Sequence, residues 1–415
     1  MNQNESKQIY IIGAGISGLI AALELENHGY SPVILEKSAT IGGRVQTHVE
    51  NEATLDIGFQ VLLDAYPNAK KYLDFEKLNL ERLNPGALVY KNGAMSLIGD
   101  PLRMPSYLLP TLLAKVGSLS DKIKIFRLSK YLKQKTIEEI FSSNETTTQQ
   151  YLTEKEFSDK IIDSFFRPFF TGIFLEPNLS TSSRMFEFVY KMFSEGHATI
   201  PQNGIGEISA QLHSKLKRTQ FQFKTEVKEI TSNEILLKSS EKIPHSGVIL
   251  ATSNSPLHKK LADINWKSCH CFYFEINTTN IPEKTIALVA DPDRLINNLY
   301  GTIDSKTGKQ ILSVTVVRDS ALSLEEQKEK VQNEVRHYTH ADNIQFIKHF
   351  SIPQALPDRM NLKYTATSEE IQVDENIYLA GDHLLNGSLN AAMESGRIAA
   401  LAVVEKHGSF SNEQP

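Results

Sequence analysis

Only two cysteines occur in 415 residues, Cys269 and Cys271. Two thiols cannot build the disulfide framework of a small secreted scaffold, and such usage suits a reducing compartment, so a cytoplasmic location is expected. Residues 268–276 read as a strand. A spacing of two puts both thiols on one face of it, either as ordinary strand residues or as a redox- or flavin-linked pair. No stretch reaches about 18 uninterrupted apolar residues, so no spanning helix is expected. The polar start, residues 1–8, lacks the basic, apolar and small-residue order of a signal peptide. There is no long basic run either: 44 basic residues face 49 acidic ones, a formal net charge of −5. Nucleic acid is therefore not an expected partner, because neutralising its phosphates needs a basic stripe. No metal-ligand spacing, no nucleophile–base pair and no internal repeat stands out, so no metal is expected.

What remains is an ordinary globular composition, 40% apolar and 22% charged. The length favours two domains over one core. The polar run at 142–150 reads as a solvated loop, and 406–415 reads as a flexible tail.

The first sixty residues are the most informative. Ile9 to Ile12 form a short apolar strand that runs into Gly13-Ala-Gly15-Ile16-Ser17-Gly18. An apolar helix follows and ends near Gly29. Pro32 to Leu35 make a second strand, with Glu36 at its end. In this spacing Gly13 permits the tight turn, Gly15 lets backbone approach a pyrophosphate, and Gly18 lets helix pack on strand. The N–H groups at the helix start, around Ile16 and Ser17, offer donors and partial positive charge to phosphate. Glu36 can accept bonds from a ribose and would repel a 2′-phosphate, which disfavours NADP. Glu36-Lys37 then leads to Gly42-Gly43-Arg44. This run resembles that of flavoproteins of the glutathione-reductase-like class and points to FAD, with Arg44 able to neutralise the pyrophosphate.

The far end carries a second signature. Ile377 to Ala380 read as a strand that stops at Gly381-Asp382-His383, and a small-residue helix starts near Leu389. This resembles the second FAD signature of the same class. The resemblance gives Asp382 the ribityl or pyrophosphate. It gives the backbone around Leu389, Asn390 and Met393 the flavin pyrimidine ring, where a helix N-terminus stabilises negative charge. Between the two ends, Pro201 to Gly204 read as a turn before an amphipathic helix. A strand-like run covers 221–230, in which Val227 could touch the adenine. A strand at 247–251 ends at Ala251.

Taken together, the chain resembles the flavin-containing amine oxidase superfamily along its whole length, with relatives among monoamine oxidases, protoporphyrinogen oxidases and carotenoid (phytoene) desaturases. The loop Asp56-Ile57-Gly58-Phe59-Gln60 narrows the match, since members place a similar loop near the flavin. The resemblance implies an α/β fold: a glutathione-reductase-like, FAD-binding Rossmann domain assembled from discontinuous segments (1–84, 200–255 and 356–405). An α+β substrate domain (85–199 and 256–355) should add a mixed or antiparallel sheet and a helical cap. Amine oxidases cage the amine between two aromatic rings, one of them just after the inner glycine of the last motif. Here Gly387 is followed by Ser388, so the cage is incomplete, which favours the desaturase and protoporphyrinogen-oxidase side.

The substrate region is less explicit. Residues 101–116 are apolar with scattered basic groups. They either cap a pocket or pack on the core, or they lie on a lipid surface as a helix does there in membrane-associated relatives. The aromatic run Phe165 to Phe174 reads either as core or as a pocket wall, and Arg167 inside it should meet a substrate carboxylate or an internal acid such as Asp163. Phe272–Ile276, Ile286–Ala290 and Ile311–Val317 should form a sheet over the flavin. Amine oxidases often hold a lysine near the flavin, yet neither Lys306 nor Lys309 aligns with it. His383 is the best ionisable candidate beside the flavin, its bland alternative being a surface residue at a helix start.

Only one dinucleotide fingerprint is complete, so the substrate itself is expected to reduce the flavin. The expected reaction is hydride transfer from a C–H or N–CH position of a small apolar organic molecule, a polyene or porphyrinogen, with dioxygen, a quinone or another acceptor as oxidant. Rival readings are an amine oxidase, a redox-neutral isomerase and a non-catalytic flavin-bound subunit. Peripheral membrane contact and oligomeric state stay open.

Overall fold

The computed structural model describes residues 8–252, 257, 264–304, 306–318 and 321–409. The expectations for the first seven residues and for the tail beyond 409 lie outside them. So does most of the stretch 253–263 at the expected boundary between the two domains.

Two sheets organise the chain. The first has six strands, ordered Gln220–Gln222, Val33–Leu35, Ile9–Ile12, Gly247–Leu250, Ile377–Leu379 and Gln372–Asp374. All neighbours are parallel except the last pair, which is antiparallel. Its central strands are apolar on both faces, with Ile11 opposite both Ile34 and Ile249 and all three without exposed surface. This is the composition of a parallel sheet buried by helices. Two helices from opposite ends of the chain, Ile16–Asn27 and Leu389–His407, pack face to face. They approach so closely that a Cβ on Gly396 would lie 2.2 Å from the Ser17 carbonyl oxygen. The expected C-terminal signal at Gly29 is present: its φ is +90° and its N–H returns to the Glu26 carbonyl.

The second sheet has seven strands, ordered Ile344–Asp358, Asn265–Ile276, Gln310–Val316, Ile296–Ile303, Ile286–Val289, Gly86–Lys91 and Ala94–Gly99. It is antiparallel except where Ile286–Val289 runs parallel to Gly86–Lys91. The helix Leu324–Thr339 covers one face through Val331, Val335 and Tyr338. Helices between Leu108 and Glu195 form a third layer.

Three readings are corrected by these elements. Residues 221–230 are two strands in different sheets, split by Lys224 at φ +54°. The region after 85 opens with a β-hairpin, because Asn92-Gly93 supplies the two positive-φ residues of a tight turn. Residues 101–116 do not cap the pocket, since none of them lines the cavity; Ala114 and Val116 pack in the main core and Tyr107 is buried, while the helix Leu108–Leu113 buries none of its side chains.

Candidate active site

The glycine loop turns between the first strand and its helix. Gly13 has φ +104° and donates its N–H to the Leu35 carbonyl at 2.9 Å, a turn that a side chain would strain. The other two glycines differ in kind. A Cβ on Gly18 would sit 2.0 Å from the Gly13 carbonyl oxygen, so Gly18 serves packing. A Cβ on Gly15 would meet no atom within 4 Å. Gly15 begins the helix and faces open space, next to Gly42 and Gly43 of the second loop. Glu36 is buried beside it; its Oε2 accepts from the Ala14 N–H at 2.7 Å and its Oε1 from the Ser38 N–H at 2.8 Å. A carboxylate has further lone pairs, so this one can still take hydroxyl donors.

That open space is one end of a cavity of about 710 Å³. Gly13, Gly15, Ile16, Ser17, Glu36 and Lys37 line it, followed by Gly42, Gly43 and Arg44. Gly58, Phe59, Gln60 and Ala251 contribute from two further loops. Gly381, Asp382, His383 and Leu389 arrive from the far end of the sequence. Sequence segments hundreds of residues apart thus meet at the carboxyl ends of the parallel strands, where open α/β sheets bind ligands.

Arg44 and Asp382 form a two-pronged ion pair, with Nη1 3.0 Å from Oδ2 and Nη2 on Oδ1. The guanidinium also donates to the Ala355 carbonyl at 3.1 Å and lies over the Trp266 ring at 5.2 Å. Burial opposes the Asp382 carboxylate, but Arg44 and the His383 N–H outweigh it and hold its pKa below the ordinary value. Arg44 remains 40% exposed, on the cavity side. His383 is buried, not a surface residue at a helix start, and its Nε2 has no hydrogen-bond partner. Burial pushes its pKa down to about 4, so the ring is neutral near pH 7.

The other end of the cavity is apolar. Phe169, Phe174, Met185, Val189 and Phe193 line it from two helices, and Ile286 and Leu288 from the second sheet. The aromatic run therefore divides: Phe166 and Phe170 have no exposed surface, while Phe169 turns to the cavity. Arg167 meets the internal acid. Its Nε donates to Asp163 at 3.0 Å, and the rest of its fork is taken by the Pro177 carbonyl and Gln149. Arg167 does not line the cavity.

The strand Asn265–Ile276 brings Lys267, Cys269 and Cys271 to the cavity on one parity. The Lys267 ammonium donates to Thr181 Oγ1 at 2.8 Å and faces Asp358 at 3.4 Å. Sequence reasoning missed this lysine and looked at Lys306 and Lys309, neither of which lines the cavity; Lys309 pairs with Glu275. The expected strand, 268–276, began one residue too late to include Lys267; the strand starts at Asn265, and counting back two from Cys269 then reaches it. Both thiols are free, and burial pushes them up to about 12 for Cys269 and about 11 for Cys271. Asn298 and Thr315, from neighbouring strands, add the remaining polar groups of this wall.

Four expected cofactor residues sit elsewhere. Gly18 lies beneath the loop. Val227 packs in the core with Ile12, Val33 and Leu35. Asn390 and Met393 are fully buried, because the helical period brings Leu389 and Ala392 to the cavity and turns these two inward. Asn390 instead accepts the Asn68 N–H at 3.0 Å. The Asp56 carboxylate stays behind the loop Gly58–Gln60, accepting from Thr47 Oγ1 at 2.6 Å and from the Ile205 N–H at 2.9 Å. Burial raises its pKa to about 6.

Residues 16–404 match the family described as flavin containing amine oxidoreductase, and the chain belongs to that family. Among curated proteins it is 24% identical over 166 residues to protoporphyrinogen oxidase 2 of Arabidopsis thaliana, a match covering 40% of this chain and 32% of that one. It is 36% identical over 62 residues to 4,4′-diapolycopene oxygenase of Methylomonas sp, covering 15% and 12%. The chain thus spans a third or less of the length of these two relatives. A solved structure of putrescine oxidase bound to putrescine shares the fold, with a TM-score of 0.69 and 15% identity over 96% of this chain and 99% of that one. Among the described residues no helix is long and apolar enough to cross a membrane, and no group of side chains could hold a metal ion.

Proposed function

We propose that this oxidoreductase oxidises or desaturates a small apolar organic molecule, polyene-like or porphyrinogen-like, at a C–H or N–CH position. One observation carries the proposal. A single cavity runs from the glycine loop, Glu36 and the Arg44–Asp382 pair to a wall of Phe169, Val189, Phe193 and Leu288. Bound FAD would supply the acceptor for the hydride equivalent, with dioxygen, a quinone or another acceptor as the final oxidant.

The chain's own residues do the rest. The N–H groups of Gly15, Ile16 and Ser17 hold the pyrophosphate, with Gly42, Gly43 and Arg44 opposite them. Glu36 holds the adenosine ribose, with Lys37 beside it. Asp382, kept ionised by Arg44, accepts from the ribityl side. Gly58, Phe59, Gln60 and Ala251 complete the channel. The apolar wall excludes water and orients the substrate by contact area, with no acid–base residue required of it. Neutral near pH 7, His383 is not the imidazolium that a general acid would need. In the same proposal, segments 1–84, 200–255 and 356–405 form the cofactor domain and the remainder the substrate domain.

The second reading is an amine oxidase. Family membership supports it equally, and Lys267 puts a lysine on the cavity wall, a residue type that amine oxidases often hold near the flavin. Ser388, which caps the last helix by accepting the Ala391 N–H at 3.0 Å, stands where an aromatic ring would be needed.

Phe169→Asp and Phe193→Asp test the proposal. Each should lower kcat/KM for polyenes or porphyrinogens by at least about tenfold, since each loses on the order of 2 kcal/mol of apolar contact. Bound FAD should be unchanged. Equal activity in these variants would remove the apolar wall from the reaction.

A further inference from the structure

The sheet wall of the cavity carries a row of side chains that changes from polar to apolar. Across neighbouring strands, Cys271 stands opposite Thr315, Thr315 opposite Asn298, and Asn298 opposite Leu288. All four line the cavity. Asn298 and Thr315 are only 4% and 5% exposed.

A bulge places the polar pair. The pairing of Ile296–Ile303 with Gln310–Val316 slips by one residue between Ile296 and Asn298, so Asn297 is the extra residue. Consecutive side chains of a regular strand point to opposite faces, and a bulge relaxes that rule. Here it lets two neighbours meet: Asn297 Nδ2 donates to Asn298 Oδ1 at 3.0 Å. The same Nδ2 donates to the Pro168 carbonyl at 3.2 Å, and a carbonyl can only accept. That fixed acceptor sets the orientation of both amides. Asn298 turns its oxygen to Asn297 and its nitrogen to Thr315, donating to Oγ1 at 3.2 Å.

The relay ends with two unused donors. Thr315 accepts from Asn298, and its own hydroxyl hydrogen has no acceptor among the described residues. The second hydrogen on Asn298 Nδ2 has none either. Buried donors are costly to leave unpaired, so a cavity wall that holds two of them side by side is matched to an acceptor. The two donor atoms are 3.2 Å apart, close enough to converge on the two lone pairs of one carbonyl oxygen. No basic side chain belongs to the row. Lys267 is four residues from Cys271 along its strand, about 13 Å away, and its ammonium is engaged by Thr181 and Asp358. The matching oxygen is therefore a neutral one rather than a carboxylate.

We propose that Thr315 and Asn298 bind a carbonyl oxygen on an otherwise apolar substrate, and that this contact selects the substrate and fixes its position against the apolar wall. The inference rests on the apolar-substrate reading above and narrows it to conjugated carbonyl compounds over pure hydrocarbons.

The probes are β-ionone, a conjugated ketone, and the hydrocarbon of the same skeleton with a methylene group in place of its oxygen. Each is titrated into the FAD-loaded enzyme, and binding is read from the perturbation of the oxidised-flavin absorbance. The ketone should bind at least about tenfold more tightly, because a site built around hydrogen-bond donors rejects an analogue that lacks the acceptor. Thr315→Val should erase most of that preference by weakening the ketone. Thr315→Ser keeps the hydroxyl and should keep the preference. Flavin content and Tm check that each variant folds, and the comparison of the two probes in the wild-type enzyme needs neither variant. Equal binding of the two probes, tighter binding of the hydrocarbon, or binding of neither overturns the inference. So does a preference that Thr315→Val leaves intact. Failure of the apolar-substrate reading is seen differently, as bleaching of the flavin by amines alone.

Discussion

Gly15 and Gly18 belong to one motif, yet substituting them should do opposite things. A Cβ at Gly15 meets no protein atom within 4 Å, and the backbone there is extended, with φ −74° and ψ 179°. Gly15→Val therefore strains nothing in the FAD-free protein. Losing glycine's preference at the helix start costs up to about 1 kcal/mol. Reduced freedom of the unfolded chain returns about 0.4–1 kcal/mol. The net change in FAD-free stability should be near zero. The side chain does fill the space where phosphate must approach the backbone. Two lost charge-assisted hydrogen bonds at about 1.5–3 kcal/mol each remove about 3–6 kcal/mol, or roughly two to four orders of magnitude in affinity. Gly18→Ala is the contrast. Its Cβ would stand 2.0 Å from the Gly13 carbonyl oxygen, so helix and strand must separate. It should lower the Tm of both FAD-free and FAD-loaded protein, at a cost of about 1–3 kcal/mol or more. Flavin content of purified protein, calorimetric titration of the FAD-free form with FAD, and thermal unfolding of both forms decide it. Gly15→Val protein purified with stoichiometric FAD would refute the reasoning, as would collapse of its FAD-free fold.

Three further outcomes follow from the titratable groups. Asp56 has a folded pKa raised to about 6, so its contribution to stability is complete below about pH 4 and lost as pH rises through about 6. Asp56→Asn should remove that decline, raising the Tm at pH 8 relative to pH 5; an unchanged difference in Tm between wild type and variant at the two pH values would count against the burial argument. Cys269 and Cys271, with thiols held near 12 and 11, should resist alkylation at pH 8 in the folded protein and react once it is denatured. Rapid labelling of either in the native enzyme would contradict their burial. Asp382 has a lowered pKa, so its ion pair with Arg44 stabilises above the ordinary carboxylate range and weakens as pH falls below it. Asp382→Asn should cost about 1–3 kcal/mol, less than a fully buried pair because Arg44 is 40% exposed, and loss of flavin should accompany the lower Tm.

The parts legible from sequence were those fixed by short-range geometry. Gly13 to Gly18, Glu36 and Gly42 to Arg44 are constrained by turns and close approaches a few residues long, and they line the cavity or its floor. Asp382 was legible because a strand ends three residues before it, at Leu379. What escaped depended on three-dimensional neighbours. Asn390 and Met393 lie beside the motif in sequence but on another side of the helix. Lys267 lies just outside the expected strand 268–276, whose shared face was read only for its cysteines. The hairpin 86–99 joins a sheet completed by strands two hundred residues later, and Ile344–Asp358, with exposed residues on both faces, lacked an alternation to read. Arg167 was legible, because its partner Asp163, one of the two expected, stands one helical turn earlier.

The most direct measurement is anaerobic absorbance of the FAD-loaded enzyme during addition of porphyrinogens, apolar polyenes, simple amines and NADPH in turn. A cavity that leads from Glu36 and Arg44 to Phe169 and Phe193 should admit an apolar substrate, which would bleach the oxidised-flavin band while NADPH leaves it unchanged. Bleaching by amines with none from polyenes or porphyrinogens would contradict the apolar-substrate reading in favour of amine oxidation. Bleaching by none of them would contradict substrate-driven reduction by any of these classes.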